Sequence, residues 1–213
     1  MTVTHLDGFP IEPVEVDAVS LAIGERIDVL LAPAAGVWPL LAATEGKTGS
    51  ALTWIRSSGS VAEARQDEVG GWLPEHGMRL FDLASARAAE TVALPFRKPD
   101  QTVDVALTGG MSSYDWGIDG RQFGKHHPLE VSQGERLRLR FRNRTRMVHP
   151  MHLHGHTFAL AKERGPRKDT ILVDAMDSVT IDVQADNPGR WMLHCHNTYH
   201  LKSGMATELS YMQ

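Results

Sequence analysis

An all-β sandwich is the fold this sequence predicts, on three observations. Alternating and β-branched runs recur along its 213 residues, and Gly, Pro, Asn or Asp separates them. No long stretch carries the 3.6-residue apolar period of an amphipathic helix. Hydrophobic residues make up 42% and charged residues 23% of the chain, the balance of a globular protein with a sizeable core, which excludes disorder and collagen-like repeats.

The elements follow in order. Gly24-Glu-Arg-Ile-Asp-Val-Leu-Leu31 reads as a polar turn and a strand, and the stretch from 57 to 98, rich in Ser, Gly, Ala, Glu and Arg, as a connector. Within it, Leu83 to Glu90 has the composition for a turn or two of helix. Trp116 to Phe123 reads as a hairpin around Asp119-Gly120. Arg136 to Arg142 is the clearest strand: Leu137, Leu139 and Phe141 share one face, and Arg136, Arg138, Arg140 and Arg142 the other. Val179 to Val183 alternates as well, and Asn187-Pro-Gly189 supplies a turn. Gly134-Glu-Arg-Leu-Arg-Leu-Arg-Phe141 repeats the pattern of Gly24 to Leu31 at a separation of 110, which suggests two related β-modules.

Charge and composition exclude several functions. A net charge of −4 argues against general nucleic-acid binding, so the arginine face reads as solvated or interdomain. One cysteine, Cys195, excludes an intrachain disulfide framework. No run approaches the roughly 18 apolar residues of a membrane helix, and the N-terminus does not have the pattern of a signal peptide.

The histidines carry the functional signal. Seven of the eleven (149, 152, 154, 156, 194, 196 and 200) fall between 149 and 200, where an even spread would place two or three. In His149-Pro-Met-His152-Leu-His154-Gly-His156, a strand puts His152 and His154 on one face. In His194-Cys195-His196 two imidazoles point one way and a thiol the other, so one strand serves two centres. Cys195, His200 and Met205 follow at steps of five, and His149 offers a second imidazole. Two His, one Cys and a weak axial Met make the blue-copper electron-transfer set. The remaining pairs suit imidazole-bound copper with open positions. A lone buried Cys and a zinc, manganese or iron site on a cupin-like barrel are the blander readings. The zinc-hydrolase pattern His-x-His-x-Asp-His is absent, because Gly155 and His156 follow His154. His156 reads as packing, not ligation.

At these two motifs, with Asn187-Pro-Gly-Arg-Trp191 before the second, the chain resembles the C-terminal copper signatures of the multicopper oxidases, the family of laccases and bacterial copper-resistance oxidases. The resemblance implies cupredoxin-like Greek-key sandwiches. Residues 1–70 would be the end of a copper-free domain, 71–98 a connector and 99–213 the copper-binding domain. It implies type 1 copper at His149, Cys195, His200 and Met205, type 2 copper at His152, and type 3 copper at His154, His194 and His196. An organic or metal donor would give electrons near His200, which pass through Cys195 to His194 and His196 for reduction of dioxygen to water. A periplasmic or extracellular setting goes with it, and a homo-oligomer is open.

Two departures qualify the resemblance. The family's trinuclear site takes four His-x-His pairs and this chain has two, since His5, His76, His126 and His127 form no other. The expectation is a C-terminal portion, missing an N-terminal domain and inactive alone. A carboxylate found after the His200 position in some members is replaced by Leu201. The competing function is a non-catalytic electron-transfer or copper-binding cupredoxin, with a two-domain copper nitrite reductase third.

Overall fold

The computed structural model describes residues 1–45, 47–59 and 77–212. Residues 60–76, where the expected first unit ends and the connector begins, lie outside the described residues, as does His76.

In chain order the strands are β1 (Thr2–Leu6), β2 (Phe9–Glu15), β3 (Ile27–Leu30), β4 (Val37–Ala43), β5 (Ser50–Arg56), β6 (Gln101–Thr108), β7 (Gly117–Ile118), β8 (Leu129–Val131) and β9 (Arg136–Asn143). They continue as β10 (His149–Leu153), β11 (Phe158–Leu160), β12 (Arg167–Lys168), β13 (Thr170–Val173), β14 (Ser178–Gln184) and β15 (Arg190–Cys195). The helix α1 (Thr198–Lys202) and β16 (Ala206–Tyr211) complete the chain. The all-β expectation holds.

The C-terminal part is a two-sheet sandwich. A five-stranded sheet runs β13-β10-β15-β16-β8, and a six-stranded sheet runs β12-β11-β14-β9-β6-β7. Leu137, Leu139, Phe141, Ile181 and Val183 of the second sheet meet Met151, Leu153, Ile171, Leu193 and Leu209 of the first in one core. β9 alternates as its sequence predicts: Leu137, Leu139 and Phe141 are fully buried. Its arginines are paired with neighbouring strands. Arg138 reaches Asp182 on β14 at 2.7 Å, and Arg140 and Arg142 reach Asp104 on β6 at 2.7 and 3.2 Å. Arg136 is buried against Gln184 and the Pro95 carbonyl. All four guanidiniums are thus held by groups of the sandwich and of the segment before it.

The N-terminal part has a three-stranded sheet, β2-β1-β3, and the pair β4-β5. Val3, Leu6, Ile11, Val16 and Ala86 form its core, with Phe81 and Leu83 packed against them. Leu83 also packs on the sandwich core, so the stretch read as a connector joins the two interiors.

Helix at 83–90 is not formed. Glu12 N–H bonds the Arg87 carbonyl, Ala89 N–H the Pro10 carbonyl, and Ala88 N–H the Arg164 carbonyl. Lys162 and Arg164 take the carbonyls of Ala86 and Ala88 from outside. With its polar backbone groups satisfied by other segments, the chain has no need of an internal ladder, and helix propensity loses to tertiary pairing. Only a 3-10 turn, Glu90–Val92, follows. The hairpin at Asp119-Gly120 does form. Both residues have positive φ, 52° and 72°, and Ile118 and Arg121 exchange two backbone hydrogen bonds of 2.9 Å, although the second limb is a single bridge.

The internal repeat is a structural one. Gly24 and Gly134 have φ of 90° and 89°. Glu25 N–H bonds the Ala22 carbonyl and its carboxylate takes the Ala22 N–H at 2.9 Å, while Glu135 does both to Ser132, the latter at 2.8 Å. Each turn launches a strand, β3 or β9.

Core and surface should respond differently on β9. Phe141→Ala should cost about 3–5 kcal/mol of unfolding free energy, and Arg140→Ala less than about 1 kcal/mol because its ion pair is solvated. Urea denaturation of both variants checks this; equal losses would contradict the assignment of faces.

Candidate metal centre

β10 and β15 are adjacent and antiparallel, in a register that pairs Met151 with Cys195 and His152 with His194. Cross-strand partners share a face, so His152 and His194 lie together on one side of the sheet. Cys195 faces the sandwich interior, where it is fully buried.

On the interior side three donors converge. The ligand atoms of His149, Cys195 and His200 all lie within 4.8 Å of one another, and all three residues are buried. The two Nδ1 atoms face each other at 3.0 Å, and Cys195 Sγ is 3.8 Å from His149 Nδ1 and 3.6 Å from His200 Nδ1. Ligands about 2.0–2.3 Å from one ion, set in a trigonal plane, stand roughly 3.5–4 Å apart, so a small contraction or expansion of this triangle admits a metal. Thiolate with imidazole is the donor chemistry of copper sites of the electron-transfer kind. The donors fit.

Local structure presents these side chains. Asn143 Nδ2 ties the carbonyls of Met147, Val173 and Asp174, bracing the loop before His149. Thr145 Oγ1 lies 2.7 Å from His149 Nε2 and can give its own proton to Asn143 Oδ1 at 2.9 Å. It therefore accepts Nε2–H and leaves the His149 Nδ1 lone pair toward the triangle. After Cys195, Asn197 caps α1 by accepting the Tyr199 N–H at 3.1 Å, which turns His200 back toward the thiol. Met205 is fully buried; its N–H bonds the His200 carbonyl at 2.9 Å and its carbonyl accepts the Cys195 N–H at 3.1 Å. Trp116, also buried, packs on His200 with ring centroids 4.2 Å apart and edge-on to His149 at 5.4 Å.

Burial sets the protonation. It drives His149 down to about 3, with the nearby His200 adding to the shift, and lowers His200 too. It pushes the Cys195 thiol up to about 12. At neutral pH both rings offer lone pairs, and the thiol holds its proton until a metal displaces it.

On the other side of the sheet, His152, His154, His194 and His196 form a cluster with ring centroids 4.6–5.7 Å apart. His154 and His194 direct Nε2 at each other, 2.9 Å apart. Nδ1 of His152 bonds the Asp169 carbonyl at 2.8 Å, Nδ1 of His194 the Cys195 carbonyl at 3.0 Å and Nδ1 of His196 the Ile23 carbonyl at 3.1 Å. A carbonyl only accepts, so these three nitrogens carry hydrogen and each Nε2 is left to bind. His156 stands apart, bonded to the Tyr211 hydroxyl at 2.6 Å and edge-on to Trp191.

His149, Cys195 and His200 thus form one group and His152, His154, His194 and His196 another on the opposite face of the sheet, while Met205 is buried and tied to Cys195 and His200 through its backbone. Sequence reasoning missed Thr145, Trp116 and Asp169. A threonine four residues before a histidine, or a tryptophan in a hairpin, carries no signal of its own, and only the packing brings these residues to the site.

Comparison with known proteins agrees with this geometry. Family models described as multicopper oxidase match residues 96–213 and residues 1–60. The chain is 42% identical over 218 residues to multicopper oxidase MmcO of Mycobacterium tuberculosis, covering all of this chain and 42% of that protein. It is 27% identical over 297 residues to a copper resistance protein A homolog of Pseudomonas syringae pv. tomato, covering 98% of this chain and 50% of the relative. Its fold is similar to laccase from Botrytis aclada, with a TM-score of 0.78 at 23% identity over 98% of this chain and 47% of the laccase. The chain thus spans about half the length of the relatives it matches. Family models over both parts of the sequence and a thiol–imidazole triangle backed by a four-histidine cluster make this chain a member of the multicopper oxidase family.

Proposed function

We propose that this chain is the donor-oxidising part of a laccase-like copper oxidase, which couples one-electron oxidation of a phenolic or metal-ion donor to reduction of dioxygen to water. The observation that carries it is the placement of two donor sets on opposite faces of β15, joined through the covalent backbone of His194-Cys195-His196. When bound, copper supplies one-electron redox chemistry at both faces.

Type 1 copper would be held by His149, Cys195 and His200, with the Met205 thioether as a further, weak donor. Type 2 copper is assigned to His152, and type 3 copper to His154, His194 and His196. The chain's own residues do three things at the first site. His149 and His200 hold neutral imidazoles in place, because burial keeps protons off them. Trp116 and the sandwich core keep water from the thiol. α1 carries His200 at the inner wall and the exposed Tyr199 toward solvent, which favours a donor docking at this helix.

The four-imidazole face takes two further His-x-His pairs in a complete trinuclear site, and our reading assigns those to a segment outside these 213 residues. The periplasmic or extracellular setting implied by the resemblance goes with it. The second reading, a non-catalytic copper-binding or electron-transfer cupredoxin, draws on the absence of the other two His-x-His pairs from these 213 residues.

Copper-loaded protein should show an intense visible charge-transfer band that Cys195→Ser abolishes, whereas Met205→Leu keeps the copper and raises its reduction potential. A folded, copper-loaded protein without the band, its thiol still titratable, would sink the type 1 assignment.

Binding should also depend on pH. The Cys195 thiol, raised by burial, must lose one proton while the two rings are already neutral, so affinity should rise about tenfold per pH unit between 6.5 and 8. Calorimetry in buffers of different ionisation enthalpy counts the released proton; no release would contradict the coordination of a thiolate.

Oxygen uptake separates the two functional readings. The 213-residue chain should not sustain it. Joined to a segment that supplies two His-x-His pairs it should, and His154→Ala in that protein should stop uptake while leaving the visible band. Sustained uptake by the short chain, proportional to its concentration, would refute the division of the site.

A further inference from the structure

We propose that the N-terminal module is a positioning device for the four-imidazole cluster: the turn at 22–26, with Asp7, sets the ring orientation of His152 and His196. This rests on the reading above that these two histidines bind metal. It concerns one histidine of each His-x-His pair, and the groups that orient them come from across the junction between the modules.

The contact to His196 is direct. The carbonyl of Ile23 takes its Nδ1–H at 3.1 Å, and Gly24 lies against the ring. A Cβ at Gly24 would stand 1.9 Å from His196 Nδ1, inside the imidazole. Only glycine allows backbone and ring to approach this closely, and its φ of 90° disfavours any other residue.

The contact to His152 runs through Asp169, whose carbonyl takes the His152 Nδ1–H. Asp169 is gripped from the N-terminal module at both ends. Its carboxylate receives the Arg26 guanidinium at 2.8 and 2.6 Å, a bidentate pairing that fixes direction as well as distance. Its N–H, with that of Thr170, donates to Asp7 Oδ2 at 3.1 and 3.3 Å. Asp7 is buried and also pairs with buried Lys168 at 3.2 Å, which Glu25 holds from the other side at 3.3 Å. Thr170 Oγ1 completes the bracket, 3.2 Å from His152 Nδ1.

The internal repeat acts as a control within the molecule. Gly134-Glu135-Arg136 makes the same turn, but Arg136 bonds Gln184 of its own sheet and the Pro95 carbonyl just before that sheet's β6, and a Cβ at Gly134 would meet nothing within 4 Å. Folding this turn therefore requires neither a ring over the glycine nor an arginine reaching into another module. Those two features of Gly24 and Arg26 serve the histidines.

The test uses the 213-residue chain and long-range ¹H–¹⁵N correlation of histidine ring nitrogens without metal. In the wild type, His152 and His196 should each show the Nδ1–H tautomer. Gly24→Ala should remove it at His196, and Gly134→Ala, with the same backbone strain, should leave both rings unchanged. Arg26→Ala should average the His152 tautomers, with partial recovery in Arg26→Lys; this pair decides the matter for His152 if Gly24→Ala does not fold. Cu(II) titration should show Gly24→Ala binding at the cluster weakened by about 10–100-fold, with the thiolate band of the first site intact. Unchanged tautomers in Gly24→Ala and Arg26→Ala, or equal effects of Gly24→Ala and Gly134→Ala, would overturn the proposal. Loss of all cluster copper in a wild type with the expected tautomers would instead count against the metal assignment on which it rests.

Discussion

The two-residue alternation of a β-strand is the constraint on which the rest of this structure depends. In β15 it sends the side chains of His194 and Cys195 to opposite faces of one sheet, and it leaves no freedom to do otherwise while the ladder to β10 and β16 is intact. A slip of one residue would put the thiol among the imidazoles and a histidine in the core, so core packing and site chemistry enforce the same register. Leu193 and Leu209 on the buried face help lock that register for reasons of burial alone.

The two faces then set opposite conditions. Inside the sandwich the thiol and two rings are dry, and burial holds them neutral until a cation arrives. On the outer face three of the four rings are oriented by carbonyls, and only one of the partners, that of Cys195, belongs to the same strand. The others come from β13's approach and from the turn at Ile23. A metal site exposed to a module boundary needs such braces because the sheet itself fixes Cβ directions and not ring rotation.

The same turn, used twice, shows how a duplicated element acquires different duties. Both copies need a glycine with positive φ and a glutamate that closes on the residue three before it. In one copy the following arginine bonds Gln184 of its own sheet and the nearby Pro95 carbonyl, and in the other it crosses to Asp169. Lys168, between Asp7 and Glu25, covers the junction with two ion pairs. Such a group is costly to break singly, because the remaining member would be left buried and unpaired.

The sequence by itself determined the fold class, the alternation of β9, the hairpin at Asp119-Gly120 and the two histidine motifs, since each is written in local periodicity or local turn chemistry. It determined too that Cys195 lies opposite its flanking histidines, because period two is a property of any strand. Tertiary structure alone decided the rest. Residues 83–90 gave up helix because distant strands and loops satisfied their backbone. The arginine face, read as solvated or interdomain, found aspartates on β6 and β14 while Arg140 and Arg142 stayed exposed. Thr145, Trp116, Asp169 and Gly24 joined the site through contacts with partners up to 173 residues away, as between Ile23 and His196. No local pattern encodes such a meeting: it follows from how sheets stack and modules abut, and those depend on the whole chain at once.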